Sequence, residues 1–591
     1  MSPPRTKSKP ERQLTNAEIA LHFDELGDLY ELDGAIVHRV VVYRTAAKAV
    51  REATASVADL AAAGRAQELP GIGKTLAEKI DVLIATGSIP SAEKLKQKFP
   101  AGLVEITRLP GLGPKRARKL FDELDISSLE QLRHAAETEQ LRTLPGFGAK
   151  SEQTILEALD AGADGSPQPR LLLSKALDVA EALAEALRAH PAAERVEIAG
   201  SARRWSESCK DLDLVAASDD AGALAAAFVE LPLIAEASRP GEAGARALTH
   251  NGVAVDLRIV APATFGSLLQ HLTGSKQHNE ALRTAAVKRG LHVSEYGVLD
   301  DADGETRSCA SEEEVYELLG MDWIPPELRE NRGELEAARK RELPELVRVE
   351  DIRGELHSHT VASDGHYTIE EMAAGARERG YDYLAITDHS ASHGFGDDVQ
   401  PDQLRETIEQ VRALNAELDD FELLAGTEVN ITTDGSLDYE DDLLAELDWV
   451  NASVHTSFRM SEQEMTKRVL DALEHPLVDA LGHPTGRLIG RREPYAIDLE
   501  QVAAAAVETG TFLEINANPN RRDLDELNAR LAVEAGAKLV ICADAHRIET
   551  LANTRYGIAT ARRAWLTADD IANTQSWKQL DKQRKKAAKR K

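Results

Sequence analysis

The sequence predicts a multidomain protein with an all-α N-terminal region, a mixed α+β middle region and a C-terminal β/α barrel of seven strands. Three observations predict this order: a glycine turn recurs three times among short helical segments, β-like runs and helices alternate from about residue 171 to 330, and seven short apolar runs alternate with amphipathic helices after about residue 350. Strands that alternate with helices indicate parallel pairing, and seven such units indicate a closed or nearly closed barrel.

Composition limits the classes of protein to which the chain can belong. With 591 residues, 42% hydrophobic and 29% charged, we expect three or four globular domains. No apolar run approaches the roughly 18 residues that span a bilayer, and the basic N-terminus lacks the apolar stretch of an export signal. The three cysteines lie far apart without a CxxC pair, which argues against a disulfide framework and favours the cytoplasm.

The charge of the chain is strongly acidic overall but uneven. A net charge of −30 argues mildly against nucleic acid as a partner, although binding depends on local patches rather than on the sum. The tail KQLDKQRKKAAKRK is strongly basic, and we expect it to be a solvated terminus.

A turn of the form Leu-Pro-Gly-apolar-Gly recurs in the N-terminal region. The copies are LPGIGKTLAEKI (69–80), LPGLGPKRARKL (109–120) and LPGFGAKSEQTI (144–155). They resemble the helix-hairpin-helix motif, in which glycines let backbone N–H groups and a helix N-terminus approach a DNA phosphate. The alternative is three helical hairpins that only pack on one another. The resemblance implies DNA contacts at Gly71, Gly73, Gly111, Gly113, Gly146 and Gly148.

The first copy carries a further resemblance. GIGKTLAEKID, with VHRVVVYRTAA upstream, resembles the N-terminal lyase domain of DNA polymerase beta and its X-family relatives. In that family one lysine on the helix after the first hairpin forms a Schiff base with a 5′-deoxyribose phosphate, and the matching position is Lys79. Arg39 and Thr75 stand where the family has lysines. Lyase chemistry and an ordinary solvated lysine therefore both remain open for Lys79.

The middle region carries three carboxylates that suit a hard metal ion. In AGSARRWSESCKDLDLV (199–215), Asp211 and Asp213 lie two apart on a predicted strand and therefore share one face. Adjacent carboxylates repel unless a cation neutralises them, and oxygen ligands suit Mg²⁺. Asp256 lies in a second predicted strand, VAVDLRIV, where an unpaired carboxylate would be costly. Three carboxylates could hold two metal ions, one for an attacking 3′-hydroxyl and one for a leaving pyrophosphate.

The combination G-S-x-R-R, then D-x-D, then a distant strand with Asp resembles the palm of nucleotidyltransferases, and among these the X-family DNA polymerases. The resemblance implies that Gly200, Ser201 and Arg204 contact the incoming triphosphate. It also implies that Asp211, Asp213 and Asp256 bind Mg²⁺ or Mn²⁺ and are catalytic.

The following segment extends the polymerase resemblance. HLTGSKQHNEALRTAA (271–286) resembles the turn and helix beside the nucleotide pocket. Gly274 matches a nucleotide-binding position, and Asn279 and Arg283 match positions that face the nascent base pair and the template. His271 and Leu272 replace the family's Tyr-Phe, which leaves ribose discrimination open. MDWIPPELREN (321–331) resembles the end of the bacterial and archaeal thumb.

The predicted strands of the last 220 residues or so end in side chains that can bind metal. These are His357 and His359, Asp388 and His389, Glu428, His455, His483, Glu514 and Asn516, and Asp544 and His546. Catalytic groups of β/α barrels gather at the C-terminal ends of the strands. A lone histidine is most often a satisfied polar residue, but recurrence at successive strand ends indicates a shared site.

The spacings H-x-H, T-D-H, G-T-E, S-V-H, G-H-P and A-D-A-H resemble the polymerase and histidinol phosphatase (PHP) family, whose distorted (β/α)7 barrel binds up to three Zn²⁺ or Mn²⁺ ions through nine ligands. The matching positions are His357, His359, Asp364, His389, Glu428, His455, His483, Asp544 and His546. Glu428 is expected to bridge two metals. Imidazole with carboxylate suits Zn²⁺ or Mn²⁺ better than Mg²⁺, without deciding between them. His366, His393 and His475 match no ligand and are expected at the surface.

Together the resemblances imply a bifunctional enzyme of DNA base excision repair. A gap-filling X-family polymerase would be joined to a PHP 3′→5′ exonuclease, with 3′-phosphatase or abasic-site endonuclease activity as further options. The alternative is a PHP phosphoesterase or nuclease whose polymerase half serves only to bind DNA. The expected partners are gapped or nicked duplex DNA, primer 3′ ends and dNTPs, and we expect a cytoplasmic monomer without membrane association.

Changes of composition and motif divide the chain into predicted domains. They are a helical lyase-like domain (1–90), a helical fingers-like domain with two further hairpins (91–160), a palm (171–262), a thumb (263–331), a linker (332–350), the PHP domain (351–575) and the basic tail (576–591). The Gly- and Pro-rich stretch AGADGSPQPR (161–170) is predicted to be a linker before the palm.

Overall fold

The computed structural model describes residues 13–109, 111–161, 170–392, 394 and 398–584. Pro110, His393, most of the predicted 161–170 linker and the last seven residues of the predicted basic tail lie outside the described residues. None of the described helices combines the length and the apolar character that crossing a membrane requires.

Contacts divide the chain into two compact units. The first comprises Met1–Leu171, Lys175–Ile198 and Lys210–Pro262. The second comprises Leu172–Ser174, Ala199–Cys209 and Ala263–Lys591. A short piece of the middle region, Ala199–Cys209, therefore groups with the C-terminal part of the chain rather than with the strands that flank it in sequence.

The N-terminal part of the first unit is helical, as the sequence predicts. Its helices are α1 (Asn16–Leu32), α2 (Val37–Glu52), α3 (Val57–Ala62), α4 (Lys74–Thr86), α5 (Pro90–Lys96), α6 (Ala101–Thr107), α7 (Pro114–Leu124), α8 (Leu129–Glu137) and α9 (Ala149–Ala161). Each repeated turn contributes its central apolar residue to one core, since Ile72, Leu112 and Phe147 are all buried in it. The apolar position of the motif is thus explained by packing, and the flanking glycines are left at the surface.

Residues 171–340 alternate between strands and helices. The elements are β1 (Leu171–Leu172), α10 (Leu173–Arg188), β2 (Arg195–Ile198), α11 (Gly200–Arg203), β3 (Ser208–Cys209), β4 (Asp211–Ala217), α12 (Ala221–Val229), β5 (Ile234–Ala237), β6 (Gly244–Thr249), β7 (Ala254–Val260), α13 (Phe265–Thr273), α14 (Lys276–Val287), β8 (Leu291–Ser294), β9 (Gly297–Asp300), β10 (Thr306–Arg307), α15 (Glu312–Leu318) and α16 (Glu334–Lys340). In the first unit, five strands form a sheet in the order β2-β4-β7-β6-β5. Its central pair β4 and β7 is parallel and the other pairs are antiparallel, so both central strands begin at the same edge.

In the second unit, β8–β10 form a small antiparallel sheet, and the helices beside it enclose a buried charge network. Glu312, at the start of α15, accepts hydrogen bonds from Arg203 at 2.8 Å and from the fully buried Arg329 at 2.6 Å. Burial alone would raise the pKa of Glu312, but the two guanidinium groups lower it to about 2. The carboxylate is therefore the counter-charge that makes burial of Arg329 tolerable.

Replacing Glu312 by glutamine should lower the free energy of unfolding by about 3–5 kcal/mol, because Arg329 would keep a buried charge without its partner. Since folding depresses the pKa, the stabilisation from Glu312 is present above about pH 4.5 and is lost as the pH falls towards 2. Denaturant unfolding at pH 7 measures the effect, with Glu313→Gln as the matched control because Glu313 is exposed on the same helical turn. Equal stability of the two variants would contradict this prediction.

The C-terminal region forms the predicted β/α barrel. Its elements are β11 (Gly354–Glu355), α17 (Ile369–Glu378), β12 (Tyr383–Ile386), α18 (Pro401–Asn415), β13 (Glu422–Asn430), α19 (Asp441–Leu444), β14 (Trp449–Ser453), α20 (Glu462–Glu474), β15 (Ala480–Leu481), α21 (Leu499–Thr509), β16 (Phe512–Asn516), α22 (Glu526–Glu534), β17 (Leu539–Cys542), α23 (Thr554–Arg563) and α24 (Trp577–Asp581). The strands follow one another as parallel neighbours from β11 to β17. A parallel bridge between Ser358 and Ala545, just beyond β11 and β17, nearly closes the barrel.

The barrel strands are apolar because they are covered on both faces. Every residue of β12, β14, β16 and β17 is buried, as expected for parallel strands enclosed by helices. The polar residues that follow these runs therefore emerge together at one end of the barrel, where all seven strands end.

Candidate metal centres

The three aspartates of the middle region share one edge of the first unit's sheet. Asp211 and Asp213 lie on one face of β4, and Asp213 is directly opposite Asp256 on the parallel strand β7. Arg246, opposite Asp256 on β6, places its Nε 3.2 Å from a carboxylate oxygen of Asp256. The guanidinium group places a positive charge beside the carboxylates and so reduces the repulsion between them.

Arg204, expected at a nucleotide triphosphate, is held by other residues of the second unit. Its Nε lies 3.1 Å from Glu330, and its terminal nitrogen donates to the carbonyl oxygen of Thr273. Gly200 begins α11, and Ser201 is half-buried in the same short helix. The predicted nucleotide contacts of these three residues stay predictions.

The predicted base-pair contacts lie on α13 and α14. Gly274 ends α13 with a positive φ of 68°. The side-chain amide of Asn279 is used within the fold, donating to the carbonyl of His271 at 2.7 Å and accepting from Gln270 at 2.9 Å. Arg283 is half-buried one turn further along α14. A role of Asn279 towards a base would require its amide to exchange these partners.

The repeated turns have the backbone geometry that the motif predicts. Gly71, Gly111 and Gly146 all have φ between 76° and 92°, a conformation that suits glycine, and a helix starts after the second glycine of each copy. Arg116 donates to the carbonyls of Gly111 and Gly146, which ties the second turn to the third.

Lys79 is half-buried on α4, with its Nζ 3.4 Å from the hydroxyl of Ser91.

The barrel brings all nine predicted ligand residues to one end. Glu428 lies at the centre, with different histidines around each of its carboxylate oxygens. Oε1 lies 2.8 Å from His483 and 3.2 Å from His455. Oε2 lies 2.8 Å from His389 and 3.4 Å from His357. This arrangement suits a carboxylate that bridges two cations.

Eight of the nine residues fall into three overlapping groups whose potential ligand atoms lie within 4.8 Å of one another. The groups are His359, Asp364, His389 and His546; His357, His359 and Asp544; and His389, Glu428 and His455. His359 and His389 each belong to two groups. The ninth residue, His483, joins the site through Glu428.

The donor atoms fit a set of metal ions better than an ordinary polar core. Nε2 of His357, Nδ1 of His483 and both ring nitrogens of His359 are buried and have no hydrogen-bond partner among the described residues. Buried polar atoms are otherwise almost always paired. His483 and Asp544 also have positive φ, a backbone strain that is typical of functional sites.

The electrostatics of the site favour metal-binding protonation states at some ligand residues and oppose them at others. Burial acts to raise the pKa of Glu428 and of Asp544, but the neighbouring histidines hold both pKa values well below their usual range. Burial, together with the nearby His546 and His389, lowers the pKa of His359 to about 3. These shifts favour ionised carboxylates and a neutral His359, as metal binding requires. Other ligand histidines have raised pKa values: burial acts to lower the pKa of His546, but nearby carboxylates raise it to about 9, so a bound metal would displace its proton.

Two further carboxylates support the site, one by bonding ligand residues directly and one by bonding the loop that carries them. Glu514, in the middle of β16, accepts from Nδ1 of His357 at 2.7 Å and from the backbone N–H of His483. Asp388 accepts from the backbone N–H and hydroxyl of Thr360 at 2.7 Å and from the hydroxyl of Ser363. The sequence pattern predicts both residues near strand ends. It predicts no separate role for them, because their bonding partners lie elsewhere along the chain.

Replacing Glu514 by glutamine should weaken metal binding about 10- to 100-fold, because His357 would lose the carboxylate that fixes its ring orientation. Titration of the metal-free protein with Zn²⁺ and with Mn²⁺ measures the affinity directly. Glu508→Gln, on the exposed surface of α21, is the matched control. Unchanged affinity in Glu514→Gln would show that this hydrogen bond does not orient a ligand.

Family models match four parts of the chain. A helix-hairpin-helix domain matches residues 14–89, a SAM-like helix-hairpin-helix tandem residues 103–161, a DNA polymerase beta thumb residues 268–330 and a PHP domain residues 355–518. The resemblances to hairpin, thumb and PHP sequences are thereby confirmed.

Similar proteins fall into two groups. The DNA polymerase/3′-5′ exonuclease PolX of Bacillus subtilis is 38% identical over 553 residues, which cover 93% of this chain and 96% of the relative. Probable phosphatases of a Thermoanaerobacter species and of Syntrophotalea carbinolica are 32% and 30% identical, each over 37% of this chain and about nine tenths of its own length. One group thus matches nearly the whole chain, and the other matches a little over a third.

Proposed function

Because the chain belongs to the X-family DNA polymerases that carry a C-terminal PHP domain, we propose that it is a DNA repair polymerase with a 3′→5′ exonuclease. One observation carries the proposal: a single chain, similar over nearly its whole length to a polymerase/exonuclease, holds two chemically different acidic sites. One is a trio of carboxylates on a sheet edge, and the other is a cluster of histidines and carboxylates in a barrel.

The carboxylate trio serves nucleotide addition. Asp211, Asp213 and Asp256 would hold Mg²⁺ or Mn²⁺ with oxygen ligands only. Such ions, when bound, lower the pKa of an attacking 3′-hydroxyl and neutralise the leaving pyrophosphate. The register of β4 and β7 places the three side chains together, so that they would hold such ions at one edge of the sheet. Arg246 gives Asp256 a counter-charge at that edge.

The barrel cluster serves phosphodiester hydrolysis at the 3′ end. Its nine residues would hold up to three Zn²⁺ or Mn²⁺ ions, since imidazole and carboxylate suit these metals. Bound ions of this kind supply a hydroxide near neutral pH and neutralise the charge of the phosphate. Glu514 orients His357, and Asp388 anchors the loop between His359 and Asp364 through Thr360 and Ser363.

DNA binding is assigned to the three glycine turns. Backbone N–H groups at the starts of α4, α7 and α9 are placed next to exposed glycines, so that a phosphate can approach without meeting a side chain. These contacts read no sequence, which suits a repair enzyme that acts on gapped or nicked duplex of any sequence. Incoming dNTPs are assigned to Gly200, Ser201, Arg204 and Gly274.

The test uses a 5′-labelled primer on duplex DNA with a one-nucleotide gap, incubated with Mg²⁺ or with Mn²⁺. Extension of the primer when dNTPs are present supports the polymerase. Shortening when dNTPs are omitted supports the exonuclease. Folded protein that does neither with either metal would overturn the proposal and favour a chain that only binds DNA.

Phosphatase activity is a second candidate for the barrel, because probable phosphatases match this part of the chain. A primer that ends in a 3′-phosphate separates the two activities. Release of inorganic phosphate without loss of a nucleotide indicates a 3′-phosphatase, and release of a nucleotide indicates the exonuclease. An abasic-site duplex, cut or left intact under the same conditions, tests the endonuclease option.

A further inference from the structure

Three barrel arginines hold the chain segment that follows the glycine-serine turn. The segment Ala199–Cys209 and the barrel belong to the same compact unit. Arg563 on α23 donates to the carbonyl of Arg204 at 2.7 Å, and Arg522 donates to the carbonyl of Trp205 at 2.9 Å. Arg487 forms an ion pair with the carboxylate of Glu207. Three of four consecutive residues, 204–207, are thus fixed by the barrel.

These arginines are not ordinary surface charges. Arg522 and Arg563 are buried, and only 11% of the Arg487 side chain is exposed. Arg487 also donates to the carbonyls of Arg521 and Arg522, and these hydrogen bonds orient its guanidinium group towards Glu207. Buried guanidinium groups are costly unless they are paired and hydrogen-bonded, which makes the segment part of their stabilising environment.

The segment itself is held in one conformation. Trp205 has a φ of 56°, a left-handed conformation that side chains other than glycine adopt at a cost. Its ring lies edge-on to Tyr556 of α23, with 5.9 Å between the ring centres. The barrel contacts on both sides of Trp205 compensate for this strain.

The guanidinium group of Arg204 is coupled to the barrel through a shared acceptor. One carboxylate oxygen of Glu330 accepts from Arg204 at 3.1 Å and from Arg563 at 3.0 Å. Arg563 therefore contacts Arg204 twice, once through its backbone carbonyl and once through Glu330. The direction in which Arg204 points is therefore set by the carbonyl of Thr273 and by a carboxylate that Arg563 of the barrel shares.

We propose that Arg487, Arg522 and Arg563 are positioning residues for nucleotide binding, so that the hydrolytic barrel is also a structural part of the polymerase. This inference rests on the proposed function, in which Arg204 contacts the triphosphate. Without the barrel contacts the 204–207 segment would sample other conformations, and dNTP binding would have to restore the ordered one at an entropic cost. The expected defect is weaker nucleotide binding rather than slower chemistry.

Glu207→Gln tests the inference because it weakens one barrel contact without touching a predicted ligand. We expect the KM for dNTP in gap filling to rise about tenfold, with kcat changed less than about twofold, as for loss of one charged hydrogen bond. The exonuclease rate on single-stranded DNA should stay at the wild-type value. Glu305→Gln, an exposed glutamate of the same unit, is the matched control.

Amide hydrogen exchange gives a second measurement that needs no activity. The backbone N–H groups of residues 204–207 should exchange faster in Glu207→Gln and in Arg487→Lys than in the wild type. Wild-type protein that fails to extend a primer would contradict the proposed function. Wild-type extension with an unchanged KM and unchanged exchange in both variants, or a fall in kcat alone, would overturn this inference.

Discussion

Replacement of His357 and His359 together by alanine should abolish shortening of a primer, by at least roughly a thousandfold, while nucleotide incorporation persists. His359 belongs to two of the three ligand groups, and His357 contacts the central Glu428. The double substitution therefore removes one ligand residue from the first group and two from the second. It also removes the histidine that lies beside Glu428 of the third group. The three aspartates that we assign to nucleotide addition lie on a different sheet and are not altered.

The double variant is compared with His366→Ala, because His366 is exposed in the same loop and matches no ligand. Primer shortening without dNTPs and gap filling with dNTPs are measured on the same preparations. Circular dichroism of both variants establishes that the barrel is folded. Loss of shortening and filling together, from folded protein, would contradict a separation of the two activities.

Replacement of Asp211 and Asp213 together by asparagine should produce the opposite result, with gap filling reduced by roughly a thousandfold or more and primer shortening unchanged. Both carboxylates lie on one face of β4, and asparagine keeps their size while removing the charge that a hard cation requires. Little stability should be lost, because Asp211 is exposed and Asp213 is only half-buried.

Asp219→Asn provides the control, since Asp219 is an exposed aspartate directly after the same strand. Gap filling is measured in Mg²⁺ and repeated in Mn²⁺, which tolerates altered ligand sets more readily. Wild-type filling by the double variant in both metals would exclude these aspartates as metal ligands. A parallel loss of primer shortening would instead indicate that the trio also serves the barrel reaction.

Much of this architecture follows from local patterns in the sequence. Apolar runs that end in His, Asp or Glu predict strands and their polar ends, because parallel strands of a barrel all end on one side. The gathering of His357, Glu428 and Asp544 follows from that rule without knowledge of any contact. The glycine turns were equally local, since their apolar residue and following helix lie within a dozen residues.

Other features depend on partners far apart in the chain. Glu514 meets His357 across 157 positions, and Arg563 meets Arg204 across 359. No periodic pattern in the sequence predicts such a pairing. The contacts form only when the barrel nearly closes and the Ala199–Cys209 segment packs with it. The hydrogen bonds of Asn279 and the contact of Arg246 with Asp256 join residues only eight to ten positions apart, but they depend on a helix–helix turn and a strand register that the sequence pattern does not specify.

The three glycine turns have a consequence for how long the protein stays on DNA. Each turn offers only a few backbone donors, and one such contact is weak and short-lived. Because all three turns belong to one core, a phosphate bound at one turn, as we propose, would raise the effective concentration of DNA at the others. Avidity of this kind prolongs residence without favouring any sequence.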